Sequence, residues 1–205
     1  MNTRFRSLEV GILMTAGTIA AAGQPASASQ DITVTLHVID EARVAAPRLK
    51  GAEELAMRIF RDAGVRVLWT YNRPGVGPAT PAPDGGGFWI RLLRGAGEQR
   101  LISDGHVALN VLAFAPEGED GARGRSAHIF MDRLSANADE RHSPPGWLLG
   151  EVIAHEVGHL LLPVNSHGMT GIMRASMYAG FTTRPGFTKE EAALIRRRLS
   201  GDENR

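Results

Sequence analysis

The 205-residue chain contains no cysteine. Disulfide bonds are therefore excluded, and packing alone has to stabilise the folded state. The same absence excludes thiolates as metal ligands and a lipid-modified cysteine as a membrane anchor.

An excess of charge of one sign is also missing, because 23 lysines and arginines face 22 aspartates and glutamates, for a formal net charge of +1. Nonspecific nucleic-acid binding depends on a large positive charge, so we predict no nucleic-acid partner. The arginine run at residues 196–198 is typical of a solvated helix face. With 43% hydrophobic residues, the chain can bury the core of a single domain.

The N-terminus lacks a hydrophobic run long enough to span a membrane, which takes about 20 apolar residues. Two arginines within the first six residues precede an apolar stretch at 10–23, and Ala26-Ser27-Ala28 supplies a small-residue cleavage pattern. We predict a signal peptide at 1–28 and one mature domain at 29–205. The protein is then secreted or periplasmic, with no stable membrane span after cleavage; an uncleaved anchor is the alternative.

Three patterned segments open the mature chain. Residues 32–39 alternate apolar and polar side chains as a strand does, and 65–71 do so again. Between them, 47–64 carry apolar residues at helical spacing, with Gly64 as the stop. The order predicts a βαβ unit with two parallel strands. The predicted buried face of the helix comprises Ala52, Leu55, Ala56, Ile59 and Phe60.

The residue pattern in the middle of the chain predicts a loop and three strands. Proline and glycine dominate residues 72–87, which is typical of a surface loop. Strands are predicted in 87–94, 106–114 and 127–134, separated by glycine-rich turns. In the last of these, apolar residues alternate with charged ones, which favours an exposed sheet edge.

The residue pattern in the C-terminal third of the chain predicts two helices. The first runs from about Ser143 to the breaker Pro163, and the second begins at a capping box of Thr188 and Glu191. The irregular segment between them is long for a loop without a function.

The first of these helices contains the sequence His155-Glu156-x-x-His159. Residues four apart lie on one helix face, so the two histidines can bind one ion, while Glu156 lies about 100° further round and can reach a water on that ion. The pattern predicts a Zn²⁺ site with Glu156 as general base. Gly158 within the same helix predicts that another segment approaches closely.

A hydrolytic zinc site needs a third protein ligand and one open position. Three candidates follow: Asn165, one of Glu190 and Glu191, or His167. An amide is a poor zinc ligand, and Glu191 already has the capping role. We favour His167, since Pro163 forces the chain off the helix before it and a left-handed Asn165 can swing the chain back.

The segment HEVGHLLLPVNSHGMTGIM, residues 155–173, resembles the active-site segment of the metzincin clan of zinc peptidases, and its short final gap is similar to that of archaemetzincins. The resemblance implies that Met173 lies beneath the metal in a tight methionine turn, the Met-turn. It also implies an α/β (α+β) fold with a mixed sheet, a packed helix, the zinc helix, the Met-turn and a C-terminal helix. Two departures stand out: Leu162 replaces the usual turn glycine, and His167 comes two residues late.

The resemblance, together with the predicted signal peptide, implies an exported zinc metallopeptidase. His155, His159 and His167 hold Zn²⁺, Glu156 activates water, and a peptide or protein substrate lies extended beside an edge strand at 126–133. Two alternatives stay open: a zinc hydrolase of a non-peptide amide, and a catalytically silent binding module. The oligomeric state is not predicted.

Overall fold

The computed structural model describes residues 31–72, 86–103, 111–117, 124–140, 144–175 and 185–201. The predicted signal peptide lies outside these residues. Within them, no helix is long and apolar enough to cross a membrane. The elements are β1 (Thr33–Asp40), α1 (Ala46–Asp62), β2 (Arg66–Asn72), β3 (Phe88–Leu93), α2 (Ala96–Ser103), β4 (Ala113–Phe114), β5 (Ser126–Phe130), α3 (Met131–Glu140), α4 (Pro145–Leu161) and α5 (Lys189–Ser200).

The five strands form one mixed sheet in the order β2-β1-β3-β5-β4. Strand β1 pairs in parallel with β2 and β3, and β3 pairs in parallel with β5. Strand β4 is antiparallel to β5 and forms one edge. The predicted fold class is confirmed.

The predicted βαβ start is confirmed in detail. The buried residues of α1 are the five that the helical spacing indicated. After the helix, Gly64 adopts a φ of +81°, a conformation that glycine takes at little cost.

Helix α4, which carries the His155-Glu156-x-x-His159 sequence, crosses α1 at close range and packs on the sheet. A Cβ atom added at Gly150 would lie 2.7 Å from the carbonyl oxygen of Ala52 and 2.9 Å from Leu55 Cβ. One turn earlier, a Cβ at Gly146 would lie 2.9 Å from the carbonyl oxygen of Arg48. The two glycines thus let the helix backbones approach each other.

Gly150→Ala is expected to lower the free energy of unfolding by about 1–3 kcal/mol, because the added methyl group overpacks the crossing despite the better helix propensity of alanine. Denaturant unfolding measures the change. Gly51→Ala is the matched control at the same crossing, since its Cβ would meet nothing nearer than 3.7 Å and the variant should be neutral or slightly stabilised. Equal stability of the two variants would contradict this account of the crossing.

The prediction that the strand at 127–134 forms an exposed edge of the sheet is wrong. Strand β5 lies between β3 and β4, and after Phe130 the chain turns into α3. Ile129 and Met131 are both fully buried. The charged residues that suggested exposure belong to the first turn of α3, where Asp132 pairs with Arg94 at 2.8 Å.

Strand β4 forms this edge instead. It is a short part of the strand predicted at 106–114, and residues 106–110 of that prediction lie outside the described residues. One of the predicted glycine-rich turns is also wrong, because residues 96–103 form α2. The capping box of α5 is present: Thr188 Oγ1 accepts a hydrogen bond from the Glu191 N–H, and Glu191 Oε2 accepts one from the Thr188 N–H.

Candidate metal centre

Three imidazole nitrogens converge at the C-terminal half of α4. The Nε2 atoms of His155 and His159 are 3.0 Å apart, and those of His159 and His167 are 3.1 Å apart. Tetrahedral zinc with Zn–N bonds of about 2.0–2.1 Å requires nitrogens roughly 3.3 Å apart. The donor set therefore fits a zinc ion with three histidine ligands and one further position.

The turn after α4 brings His167 to this point. Leu162 leaves the helix in an extended conformation, with its side chain buried, and Pro163 follows it. Asn165 then adopts a φ of +62°, the left-handed conformation that its short polar side chain tolerates. The turn therefore has no need of a glycine at 162, since the left-handed residue comes three positions later.

Neighbouring polar groups orient the histidines on α4. The Nδ1 atom of His155 lies 2.8 Å from the carbonyl oxygen of Ile172, and because a carbonyl can only accept, Nδ1 carries the proton and Nε2 is left for a metal. The Nδ1 atom of His159 lies 3.3 Å from Ser166 Oγ. Partners of this kind set the ring orientation and the tautomer of metal-binding histidines.

A tight turn returns the chain beneath α4. It is closed by a 2.8 Å hydrogen bond from the Gly168 N–H to the carbonyl oxygen of Met173, and Gly171 supplies a φ of +75°. Met173 is fully buried and packs on Gly158, where an added Cβ would overlap its sulfur atom. The close approach predicted at Gly158 is therefore present, and its partner is the methionine of the turn.

Glu156 is almost completely buried, with 6% of its surface exposed. Its Oε2 atom has no hydrogen-bond partner among the described residues. Burial raises the pKa of Glu156 to about 8. A cation bound by the neighbouring imidazoles would act in the opposite direction and favour the carboxylate.

Burial also lowers the pKa of the two histidines on α4, that of His159 to about 4, and repulsion between the histidines lowers both pKa values further. For His155, the hydrogen bond to the Ile172 carbonyl acts against this shift. Both imidazoles are therefore neutral at neutral pH, which is the form that binds a metal ion.

An open cleft of about 550 Å³ gives access to these groups. It is lined by His155, Glu156 and His159 of α4, by the segment 111–117, which contains the edge strand β4, and by His167 with part of the turn before it. The three histidines and the edge strand thus line the same cleft.

The candidates for a third ligand lie in different places. Among the described residues, the histidine, cysteine and acidic side chains that gather as a possible metal site are His155, His159 and His167. Asn165 lines the cleft as the left-handed residue of the turn. Glu191 is engaged in the cap of α5, and Glu190 is not part of the cluster.

Sequence reasoning missed several groups around the histidines. The Ile172 carbonyl and the main chain of β4 could not be found from the sequence, because every residue type has the same backbone carbonyl. Ser166 offered a weak signal, because a hydroxyl next to a candidate ligand is a common hydrogen-bond partner for an imidazole.

No family model and no curated protein matches the chain. Its structure is similar to that of metalloproteinase-II from Bacteroides fragilis, with a TM-score of 0.51, 15% sequence identity, and coverage of 85% of this chain and 55% of that one. Archaemetzincin from Methanopyrus kandleri matches with a TM-score of 0.49 and 14% identity, over 85% of this chain and 99% of that one. High choriolytic enzyme 1, a hatching enzyme zinc-protease from Oryzias latipes, has a TM-score of 0.30 at 14% identity, with coverage of 64% and 44%.

The chain spans about half the length of the Bacteroides protein, 55% of it. At this level of identity the similarity concerns the fold. The fold is similar to that of a solved metalloproteinase, and it has the mixed sheet and the helix order that the resemblance of residues 155–173 implied.

Proposed function

We propose that the protein is an exported zinc-dependent metallopeptidase. One observation carries the proposal: three histidine Nε2 atoms meet at 3.0 and 3.1 Å spacings beside a buried glutamate in an open cleft. The ligands are His155, His159 and His167, and Glu156 is the general base. Met173 supports the ligands from below by packing on α4 at Gly158.

Bound zinc would supply a Lewis acid for the scissile carbonyl and would acidify a water molecule in the cleft. Glu156 accepts the proton of the attacking water and returns it to the leaving amine. Its burial suits this role, because a carboxylate in a poorly solvated position gains more from taking up a proton than a solvated one does.

The outer edge of β4, which has no paired strand among the described residues, provides a place for an extended peptide. Peptides commonly bind such edges by adding a strand, so that main-chain hydrogen bonds hold the peptide whatever its side chains are. Because β4 and the histidines of α4 line the same cleft, a peptide paired with β4 would lie beside the histidine cluster. This position replaces the edge at 126–133 expected from the sequence.

Peptide cleavage by the zinc-loaded protein tests the proposal. Mass spectrometry of a mixed peptide library should reveal new termini, which disappear after treatment with a chelator and return with added zinc. A panel of non-peptide amides is assayed in parallel. Stoichiometric zinc without peptide cleavage would contradict the proposal, and hydrolysis of a non-peptide amide would then identify the alternative reaction.

Export is the second part of the proposal and is supported by the signal pattern at residues 1–28. Protein recovered outside the cytoplasm is expected to begin at about Ser29, directly after the small-residue cleavage pattern. N-terminal sequencing measures this. A cytoplasmic protein that retains Met1 would contradict export without affecting the proposed chemistry.

A further inference from the structure

The segment 111–117, which lines the cleft together with the histidines, pairs with the sheet through a very short ladder. Strand β4 contributes only two residues, Ala113 and Phe114, which are paired with Ile129 and His128 of β5. A strand of two residues has few hydrogen bonds with which to hold its position. Contacts other than this ladder must therefore fix the position of the segment 111–117.

The register of the ladder shows which main-chain groups face the cleft. The Phe130 N–H donates to the Leu112 carbonyl at 2.9 Å, so Leu112 belongs to a hydrogen-bonded pair. Because such pairs alternate along an antiparallel ladder, the N–H and C=O groups of Val111, Ala113 and Ala115 point away from β5. A substrate strand can use those of these groups that no other part of the protein binds.

Arg133 of α3 binds one end of this edge. Its Nη1 atom donates to the Val111 carbonyl at 2.8 Å, and its Nε atom pairs with Glu98 of α2 at 2.7 Å. The guanidinium carbon lies 4.7 Å from the centre of the Phe130 ring. Only 15% of the Arg133 side chain and 6% of the Glu98 side chain are exposed, so water competes little for these contacts.

The planar guanidinium suits this position, because its donors point in fixed directions and bind two acceptors at once. Glu98 holds the guanidinium in place, and the guanidinium holds the Val111 carbonyl. That carbonyl is thereby taken from the open edge, which begins at Ala113. Towards the other end, Pro116 lacks the N–H that would continue the ladder to β5, so the described edge open to a substrate is Ala113–Ala115.

We propose that Arg133, oriented by Glu98, is a positioning residue. It sets the distance between the substrate-binding edge and the metal site, and the register of that edge. The inference rests on the proposed peptidase function. Arg133 does not line the cleft and touches no reacting atom. It acts through the backbone of the segment 111–115.

The test compares ligands that use the edge with a ligand that does not. An internally quenched peptide and a peptidyl hydroxamate both reach β4, whereas acetohydroxamate is too small to do so. Variants Arg133→Met, Arg133→Lys and Glu98→Gln are prepared as zinc-loaded full-length proteins. Arg94→Ala is the control, because Arg94 forms a more exposed ion pair with Asp132 of the same helix and makes no contact with the edge in the described structure.

In Arg133→Met, the KM for the peptide and the Ki for the peptidyl hydroxamate should rise roughly tenfold, the effect of losing about one hydrogen bond to a charged group. The kcat, the zinc content and the Ki for acetohydroxamate should change little. Arg133→Lys keeps the charge beside Glu98 and so preserves the fold, but its single nitrogen replaces a two-pronged donor, and it should show a smaller rise in KM. Glu98→Gln should do the same, and Arg94→Ala should match the wild type.

A wild-type KM in folded Arg133→Lys and Glu98→Gln would overturn the inference. An equal rise in the Ki of acetohydroxamate would also overturn it, since the defect would then extend to the metal site. A wild-type protein that binds zinc but neither cleaves the peptide nor binds the peptidyl hydroxamate would instead overturn the proposed function. The two failures are therefore distinguishable.

Discussion

Replacing Glu156 with glutamine is expected to lower kcat for peptide hydrolysis by a factor on the order of 10² or more while zinc stays bound. An amide has nearly the shape of a carboxyl group but cannot accept a proton from the attacking water. The fold should be retained, because Oε2 of Glu156 has no hydrogen-bond partner among the described residues. Turnover, zinc content and thermal unfolding are measured on the same preparation.

Glu151→Gln provides the matched control for this experiment. Glu151 is as buried as Glu156, with 6% of its surface exposed, and lies on the same helix, but it is not among the residues that line the cleft. The same chemical change should therefore leave turnover close to that of the wild type. Undiminished hydrolysis in Glu156→Gln would mean that another group is the base, and equal losses in both variants would point to damage to the helix.

Replacing His167 with alanine is expected to release most of the zinc at low concentrations of free metal. With two ligands left, the affinity should fall by more than the roughly 10–100-fold that follows from losing a hydrogen-bond partner of a ligand. His167 is exposed and lies in a turn, so little packing is lost and the fold should persist. Metal analysis after dialysis against dilute chelator measures the result.

Three variants of the other candidate ligands serve as controls. Asn165→Ala should keep its zinc and lose about 1 kcal/mol of stability, because alanine is strained at the left-handed φ of +62°. Glu191→Ala should keep its zinc and lose about 1 kcal/mol or less of helix capping. Glu190→Ala should resemble the wild type. Stoichiometric zinc in His167→Ala, together with loss from a glutamate variant, would replace the three-histidine site with a two-histidine, one-glutamate site.

Local patterns in the sequence were sufficient wherever the relevant interactions are local. The five buried residues of α1 follow from a 3.6-residue period, and the capping box of α5 involves two residues three positions apart. The turn after α4 is local as well. Pro163 disfavours a further helical turn, and Asn165 accepts the left-handed conformation.

Patterns failed where a strand had to be assigned its neighbours. Strand β5 was expected at an exposed edge because Ile129 and Met131 alternate with charged residues. Those charges belong to the start of α3, and Ile129 and Met131 are fully buried. The identity of an edge strand depends on which segments pair across the sheet, and single-strand periodicity carries no information about pairing.

The sequence by itself determined that two histidines and a glutamate share one stretch of helix, that the chain leaves this helix at Pro163, and that a third histidine follows. Only the tertiary structure decided that the three imidazoles meet, that the Ile172 carbonyl orients His155, and that β4 lines the same cleft as the histidines. The reason is physical. Spacing along a helix follows from backbone geometry within one turn, whereas the burial of Glu156 and the position of a sheet edge arise from contacts between segments far apart in the chain.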